Sequence, residues 1–407
     1  MKKFLLLTAL MAGAMTVNAQ SDFQVKELAK LPVTNITNYD KLVSRSGYGF
    51  GDKFYMTDRN AQQLRVFNLA TGEEIAQKEI GKGVMALGHD EFGNAILGNW
   101  EFPGSNPLGS ETTFTLISAD LAKMVTTEKV GSIQGRGDFL GKAKGNVFGA
   151  EGATLLASGA AQDLEDKGIV CYTFSSTGGD TPLVQYSNVY DGDQKIGAGT
   201  WATYNYYKDV DGTDRYLYVN RLVALTDIFF EEGEVAGDLT REYNPADRLC
   251  NKGVCNGGEI FVLGSRKFIV YGNWREGVNN TYLDGFTIAE IGADNKTLTT
   301  VYTKEPDTSM EREMTTQGNW LNVEVLSDKQ AKLYQYFLGG YAAEYGITID
   351  GADMPTGIAG VENAAAKAVS TTYYTPAGVA SKTAVKGLNI VVTKYADGSQ
   401  KVVKVIK

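Results

Sequence analysis

Short apolar runs, each bounded by turn residues, recur along most of the chain. In the first of these units a turn at Gly51-Asp52 precedes the apolar-rich run 53–57, which is typical of a tight turn leading into a strand. A strand that ends in Gly, Asn, Trp or Arg follows again after Gly93, Gly145, Gly212, Gly264 and Lys332. The pattern predicts an all-β chain.

The units repeat at a spacing that favours one particular all-β architecture. The turn glycines at 51, 93, 145, 212 and 264 lie 42, 52, 67 and 52 residues apart, which is the scale of one propeller blade. Glycines also mark the start of each unit, at 47, 83, 135, 199, 253 and 318. Six units that cannot bury their faces alone predict a closed ring, a six-bladed β-propeller over residues 20–350. Uneven spacing leaves five or seven blades open, and residues 23–33 are expected to close the ring.

Two segments resemble blades of known propellers. Residues 66–73 (Val-Phe-Asn-Leu-Ala-Thr-Gly-Glu) and 89–94 (His-Asp-Glu-Phe-Gly-Asn) are similar to blades of the NHL and YVTN types. The resemblance implies a fold and carries no activity.

The N-terminal segment has the pattern of an export signal. Lys2 and Lys3 precede an apolar run from Phe4 to Met11, and Val17-Asn18-Ala19 fits the small-residue cleavage rule. The apolar run is shorter than the roughly 20 residues that span a bilayer. Residues 1–19 are therefore predicted to be a signal peptide, with Gln20 as the mature N-terminus and no transmembrane segment in the mature chain.

The C-terminal residues are predicted to form a separate module. The small, Ala-rich segment 351–370 is typical of a linker. In residues 371–407, Tyr374-Thr375-Pro376-Ala377-Gly378, Lys386-Gly387-Leu388, Asp397-Gly398 and a basic Val-rich end follow one another. This order resembles the C-terminal sorting domains of type IX secretion cargo, although Asn389 stands where an aromatic residue is common. The resemblance implies a small sandwich-like β module that is recognised by the secretion machinery.

The predicted location follows from the two ends of the chain. We expect a secreted protein or one held at the outer-membrane surface; an ordinary terminal hairpin domain on a periplasmic protein is the alternative. The net charge of −9 argues against nucleic acid as a partner. Cys250 and Cys255 are close enough in sequence to form a disulfide in an oxidising compartment, which would leave Cys171 single.

A candidate ligand-binding face follows from the strand directions expected in a propeller. The starts of the innermost strands and the ends of the second strands should lie on one face. Four tryptophans and four other aromatic or basic residues fall at these positions: Tyr48, Arg59, Trp100, Arg136, Trp201, Arg221, Trp274 and Trp320. Trp can stack on a ligand and Arg can bind carboxylate or phosphate, which suits an anionic sugar or a peptide. Packing of these tryptophans between blades is the alternative.

Other motifs contribute less. Arg136-Gly137-Asp138 matches an integrin-binding tripeptide, but chance explains so short a match. The segment 209–214 (Asp-Val-Asp-Gly-Thr-Asp) could bind calcium, although a hairpin turn explains it better; no other cofactor and no transition-metal site are expected. His89, the one histidine of the chain, is expected to be solvated in a polar turn.

Three functions therefore remain open. The sequence favours a non-catalytic binding protein for a glycan or peptide. A glycan hydrolase or lyase that uses two funnel carboxylates is the first alternative, because such pairs leave no sequence signature. A scaffold that contacts another envelope protein is the second. No catalytic residue can be assigned from the sequence.

Overall fold

Strands provide the regular structure of the chain. The computed structural model describes residues 22–33, 46–58, 61–80, 84–100, 110–133, 140–158, 169–176, 180–190, 203–219, 225–231, 234–235, 241–243, 257–274, 281–307, 312–313, 319–338, 340–355, 368–375, 379–395 and 400–406. These residues form strands, turns and bends and contain no helix. It follows that none of these segments is a helix capable of crossing a bilayer. The prediction of an all-β chain is confirmed.

The first half of the chain forms three antiparallel meanders after an N-terminal strand, β1 (Phe23–Pro32). The first meander contains β2 (Gly47–Phe50), β3 (Lys53–Asp58), β4 (Gln63–Asn68) and β5 (Glu74–Glu79). The second contains β6 (Val84–Asp90), β7 (Ala95–Trp100), β8 (Ser110–Ile117), β9 (Met124–Thr126) and β10 (Val130–Ile133). The third contains β11 (Lys142–Gly145), β12 (Ala153–Ser158), β13 (Ile169–Ser175) and β14 (Leu183–Tyr190).

The second half repeats this arrangement. The fourth meander contains β15 (Thr203–Lys208), β16 (Asp214–Val219), β17 (Leu225–Glu231), β18 (Glu234–Val235) and β19 (Arg241–Tyr243). The fifth contains β20 (Gly258–Leu263), β21 (Arg266–Trp274), β22 (Thr281–Ile291), β23 (Leu298–Lys304) and β24 (Arg312–Glu313). The sixth contains β25 (Asn319–Ser327), β26 (Gln330–Phe337) and β27 (Tyr341–Ile349).

The first strand of each meander lies next to the axis of a closed ring. The inner strands β2, β6, β11, β15, β20 and β25 contact one another in this order, and β25 contacts β2. The chain from the first to the sixth meander is therefore a β-propeller. A blade number of six remains a prediction, which this closed ring of described strands supports.

The N-terminal strand completes the sixth sheet. β1 pairs with β27 in antiparallel register from Phe23↔Ile349 to Pro32↔Tyr341. The sixth sheet therefore combines the start of the propeller with its end, and the pairing covers an edge that would otherwise be exposed. This is the closing role that the sequence predicts for residues 23–33.

The core lies between neighbouring sheets and is rich in tyrosine. Between the third and fourth meanders, Tyr204, Tyr216 and Tyr218 are fully buried beside Cys171. Cys171 forms no disulfide, and burial raises the pKa of its thiol. Cys250 and Cys255 lie outside the described residues, so their pairing stays a prediction.

The segment 209–214 forms the β15–β16 hairpin turn. The amide of Asp209 donates to Thr213 O at 2.9 Å, and Gly212 has a φ of +84°, a conformation that favours glycine. Both carboxylate oxygens of Asp209 accept from Lys267 Nζ at 2.9 Å. The preferred interpretation of this segment as a turn is confirmed.

One predicted strand is wrong. In the third unit the sequence predicts a strand directly after the turn at Gly145, within residues 145–150, but residues 146–151 form a turn and β12 starts at Ala153. Asn146 fixes this turn, because its side chain accepts from the amide of Phe148 at 2.9 Å. The amide of Val147 donates to Asp90 Oδ2 of the second meander, also at 2.9 Å. A side-chain contact between two meanders therefore replaces the strand.

The chain divides into two compact units, residues 1–359 and 360–407. The second unit is an antiparallel sheet in the order β29, β28, β30, β31, formed by β28 (Ala368–Tyr374), β29 (Ala380–Ser381), β30 (Leu388–Tyr395) and β31 (Gln400–Ile406). Asn389 is fully buried and binds the backbone of Val385 and Gly387 at 2.7–2.8 Å. The amide thus holds a turn at the position where the sorting domains commonly have an aromatic ring. The sandwich-like module and its sorting role stay predictions.

Candidate functional site

The strand registers place the predicted strand starts and strand ends at the same edge of each sheet. Gly47 pairs with Met56, Thr203 with Val219, and Asn319 with Phe337. We call the face formed by these edges the upper face. Arg59, Arg136, Trp201 and Arg221 lie outside the described residues. Trp100 and Trp274 end β7 and β21, so their backbones lie at this edge.

Two of the predicted site residues have described side chains, and both are buried. Tyr48 is 4% exposed; its ring stacks on Tyr55 at 4.6 Å, and its hydroxyl donates to Gly93 O at 3.1 Å. Trp320 is 8% exposed and belongs to a core cluster with Leu321 and Tyr336. Trp320 therefore packs in the core, as the alternative interpretation of the tryptophans expects.

A second set of residues lies lower in the propeller, and of these the sequence predicts only Tyr48 as part of the site. One residue comes from each inner strand: Tyr48, His89, Lys142, Asn205, Glu259 and Asn322, which we call the axial ring. Side chains of the axial ring join neighbouring inner strands. Asn205 accepts from the Lys142 amide at 3.0 Å and donates to Gly258 O at 2.8 Å.

Similar contacts connect the remaining inner strands. Glu259 Oε2 accepts from the amide of Val323 at 2.9 Å. Asn322 donates to Gly49 O at 2.8 Å and accepts from its amide at 2.9 Å. The rings of Tyr48 and His89 stack at 4.6 Å, and β6 and β11 pair directly in parallel, with His89 opposite Lys142. A polar or stacking contact therefore spans every junction between consecutive inner strands.

Three side chains of the axial ring also cross the channel. Lys142 Nζ donates to Val323 O at 3.3 Å and lies 3.8 Å from Glu259 Oε2. His89 Nε2 lies 4.0 Å from Glu259 Oε1. Because β6 and β20 lie on opposite sides of the ring of inner strands, as do β11 and β25, these contacts run across the axis. The axial ring is therefore the floor beneath the upper face.

Burial changes the acid–base properties of this floor. Burial, assisted by the positive charge of Lys142, lowers the pKa of His89 to about 3. Burial also raises the pKa of Glu259, although Lys142 and the Val323 amide oppose that shift. His89 is therefore neutral at physiological pH, and Glu259 is a weaker acid than a solvated glutamate.

The prediction that His89 is solvated is wrong. His89 is 5% exposed, since β6 continues through it and the turn begins only at Glu91. The neighbouring Asp90 is fully buried and accepts from the amides of Phe92, Asn94 and Val147 at 2.9–3.0 Å. The polar residues of this segment therefore belong to a buried hydrogen-bond network that stabilises the β6–β7 turn.

The buried histidine predicts a pH dependence of stability. Between pH 6.5 and about 3 the unfolded chain binds the His89 proton and the folded chain does not, so acidification destabilises the fold through this group by roughly 1.4 kcal/mol per pH unit. Urea unfolding of wild type and His89→Gln should show a difference in stability that shrinks as pH falls through this window. Burial raises the pKa of Asp90 to about 6, so acidification stabilises the fold through Asp90. This effect is present in wild type and in His89→Gln and therefore largely cancels in their difference in stability. An unchanged difference from pH 7 to pH 4 would contradict the burial of a neutral His89.

The chemistry of the floor differs from that of a metal centre. Three or more His, Cys, Asp or Glu residues do not come together in a metal-binding arrangement anywhere in the described segments. The neighbours of Glu259 are an ammonium and an imidazole rather than a second carboxylate. The arrangement can donate and accept hydrogen bonds at one buried point on the axis.

A sequence signal for the axial ring exists, but it is weak. Gly49, Gly88 and Gly141 lie next to ring residues, and a Cβ atom on any of them would approach another strand within 2.0–2.4 Å. Glycine next to a ring residue in or beside an inner strand thus marks a close approach between blades. The single sequence does not reveal which polar side chains share a level along the axis.

Comparisons with known proteins give no family. No family model and no curated protein sequence matches the chain. Among solved structures, the chain is similar to a calcium-binding protein, regucalcin, from Agrobacterium tumefaciens, with 11% identity, coverage of 81% of this chain and 97% of that chain, and a TM-score of 0.42. It is also similar to a luciferin-regenerating enzyme, with 8% identity, coverage of 83% and 98%, and a TM-score of 0.41. Overlaps of this quality say nothing about function, and the propeller fold rests on the sheet topology.

Proposed function

We propose that the chain is an exported, non-catalytic binding protein whose propeller takes up a glycan or a peptide on its upper face. The observation that carries this proposal is the floor formed by the axial ring. Side chains cross the axis there, and Asn205, Glu259 and Asn322 are fixed by backbone hydrogen bonds. A floor of fixed polar groups suits recognition.

Catalysis on glycans is the second candidate. In its favour, burial shifts the pKa of both His89 and Glu259, and perturbed titratable groups cluster at active sites. Against it, Glu259 lies next to Lys142 and His89 in the axial ring. Glycoside hydrolysis by two funnel carboxylates needs a second carboxyl group about 5–10 Å away. Release of reducing sugar by the purified protein would favour this second candidate.

Tryptophan variants test the binding proposal. If Trp201 stacks on the ligand, Trp201→Ala should weaken binding by roughly 1–3 kcal/mol with little change in stability. Trp320→Ala is the matched comparison; because Trp320 is buried, it should lower the free energy of unfolding by about 3–5 kcal/mol. Calorimetric titration with neutral oligosaccharides, acidic oligosaccharides and peptides, together with thermal melts, separates the two effects. Equal destabilisation by both substitutions would contradict a ligand-facing Trp201.

The export part of the proposal rests on the two ends of the chain. The compact unit 360–407 supports a separable C-terminal module, and residues 1–19 carry the pattern of a signal peptide. Deletion of residues 371–407 is expected to leave a folded propeller in the periplasm and to remove the protein from the medium and cell surface. Fractionation of cells that express either chain measures this. Unchanged secretion of the shortened chain would refute the sorting role.

A further inference from the structure

The tautomer of His89 follows from its hydrogen bond. Its Nδ1 atom lies 2.9 Å from the carbonyl oxygen of Asp90. Because a carbonyl only accepts, Nδ1 must carry the proton, and a neutral imidazole has one N–H. Nε2 is therefore an acceptor, and it points toward the propeller axis, where Glu259 lies.

Glu259 presents a second acceptor to the same point. Its Oε2 atom already accepts from the Val323 amide at 2.9 Å, whereas Oε1 faces His89 Nε2 at 4.0 Å. This distance exceeds the roughly 2.7–3.2 Å of a hydrogen bond. Two acceptors that face each other across such a gap favour a donor between them, because a donor there gives a hydrogen bond to at least one of them.

Lys142 adds a donor beside the gap. Its ammonium donates to Val323 O at 3.3 Å, and this leaves further N–H groups of the three on an ammonium. The Lys142 side chain is 16% exposed, more than those of His89 (6%) and Glu259 (2%). An occupant of the gap therefore meets two acceptors and one donor, with solvent reaching Lys142.

A hydroxyl group matches this combination. Its single proton pairs with one of the two acceptors, and its oxygen accepts from Lys142. When Glu259 is protonated, its carboxyl donates to the hydroxyl and the hydroxyl donates to His89 Nε2, so that both facing groups are paired. A carboxylate or phosphate would bring further acceptors to Nε2 and Oε1, and an amine would meet the charge of Lys142. A neutral oxygen that both donates and accepts is the chemistry that fits.

We propose that the gap between His89 Nε2 and Glu259 Oε1 binds a neutral hydroxyl, and that the upper face therefore prefers a polyhydroxylated carbohydrate, which offers this group at most of its positions, to a peptide, which offers it only at Ser, Thr or Tyr. This rests on the proposed binding function. Water supplies the same chemistry in the free protein, and a sugar hydroxyl replaces it on binding.

The single histidine makes a direct test possible. In the intact protein with 15N-labelled histidine rings, Nδ1 should carry the proton and Nε2 should not. Titration with methyl glucoside, methyl mannoside and maltohexaose should shift the Nε2 resonance to saturation with at least one of them, whereas acetate and methylammonium should not. A protonated Nε2 would overturn the proposal. An Nε2 resonance that none of the sugars moves would also overturn it, and this is the result expected if Glu259 donates directly to His89 or if water alone fills the gap.

Variants give the second measurement. Glu259→Gln places an amide N–H beside Nε2 and should weaken sugar binding at least tenfold, while Glu79→Gln, the same change on an exposed position of β5, should leave it unchanged. Calorimetry separates this proposal from the proposed function. If peptides bind and Nε2 does not respond, the hydroxyl site is wrong and the binding function stands. If Nε2 responds to methyl glucoside but neither oligosaccharides nor peptides bind in calorimetry, the hydroxyl site stands, whereas the oligosaccharide ligand and the proposed binding function fail.

Discussion

Gly141→Ala is expected to abolish the native fold or to destabilise it by more than about 3 kcal/mol, because a side chain at this position has no space. A Cβ atom on Gly141 would lie 2.1 Å from the backbone oxygen of Tyr204 and 2.6 Å from Asn205 Oδ1. Both atoms belong to the next inner strand, and the Tyr204 oxygen, as a backbone atom, cannot rotate away as a long side chain can. The substitution would therefore separate β11 from β15 and break the contact between Lys142 and Asn205.

A second glycine serves as the control. Gly212 has a φ of +84°, and a Cβ atom added to it would meet nothing within 4 Å. Gly212→Ala should therefore cost only the backbone strain of a left-handed residue, about 1–2 kcal/mol. Urea unfolding followed by tryptophan fluorescence measures both. Equal stability of the two variants would show that the inner strands do not approach as closely as described.

Glu344→Gln is expected to lower the free energy of unfolding by about 3–5 kcal/mol, since it leaves a buried lysine without its counter-charge. Lys332 Nζ and Glu344 Oε1 form an ion pair at 2.9 Å, with side chains 0% and 2% exposed. Lys332 also donates to Gly51 O at 2.8 Å, so the ammonium cannot move to solvent without breaking the contact between the sixth and first meanders. Denaturant titration at pH 7 measures the loss.

Two comparisons make this prediction specific. The double variant Lys332→Met/Glu344→Leu removes both charges and should recover most of the lost stability. Lys329, whose side chain is 54% exposed in its pair with Asp350, should tolerate Lys329→Met with a change of less than about 1 kcal/mol. If the double variant is less stable than Glu344→Gln, an unpaired buried charge is not the cause.

Local turn chemistry explains the parts of the fold that could be predicted. Gly51, Gly93, Gly212 and Gly264 all have positive φ angles at hairpins between the first two strands of a meander. These glycines, together with the apolar strands that follow them, are visible in a single sequence. The strand predicted directly after Gly145-Asn146 is wrong because these two residues resemble the other hairpin turns in sequence. The amide of Val147 donates instead to Asp90 of the second meander, and the chain turns there.

The candidate site was harder to predict, because its residues are brought together by ring closure. His89 stands in a polar stretch that suggests a turn, but its position in β6 directs it toward Tyr48 and Glu259. Lys142 and Glu259 meet across the axis although more than a hundred residues separate them in the chain. That two residues so far apart in sequence meet follows from the number and order of the sheets. A local sequence pattern does not contain this information.

The sharing of the sixth sheet between the two ends of the propeller has a kinetic consequence. The pairing of Phe23 with Ile349 closes a loop that contains all the other meanders, whereas the neighbouring pairings of β26 with β25 and β27 are local hairpins. The entropy of loop closure must be lost before such a contact contributes, and folding slows as contacts become less local. Among the described propeller strands, β1 is therefore made first and its partner β27 last, and until the two strands pair, the edge of β27 stays open to a strand from another chain.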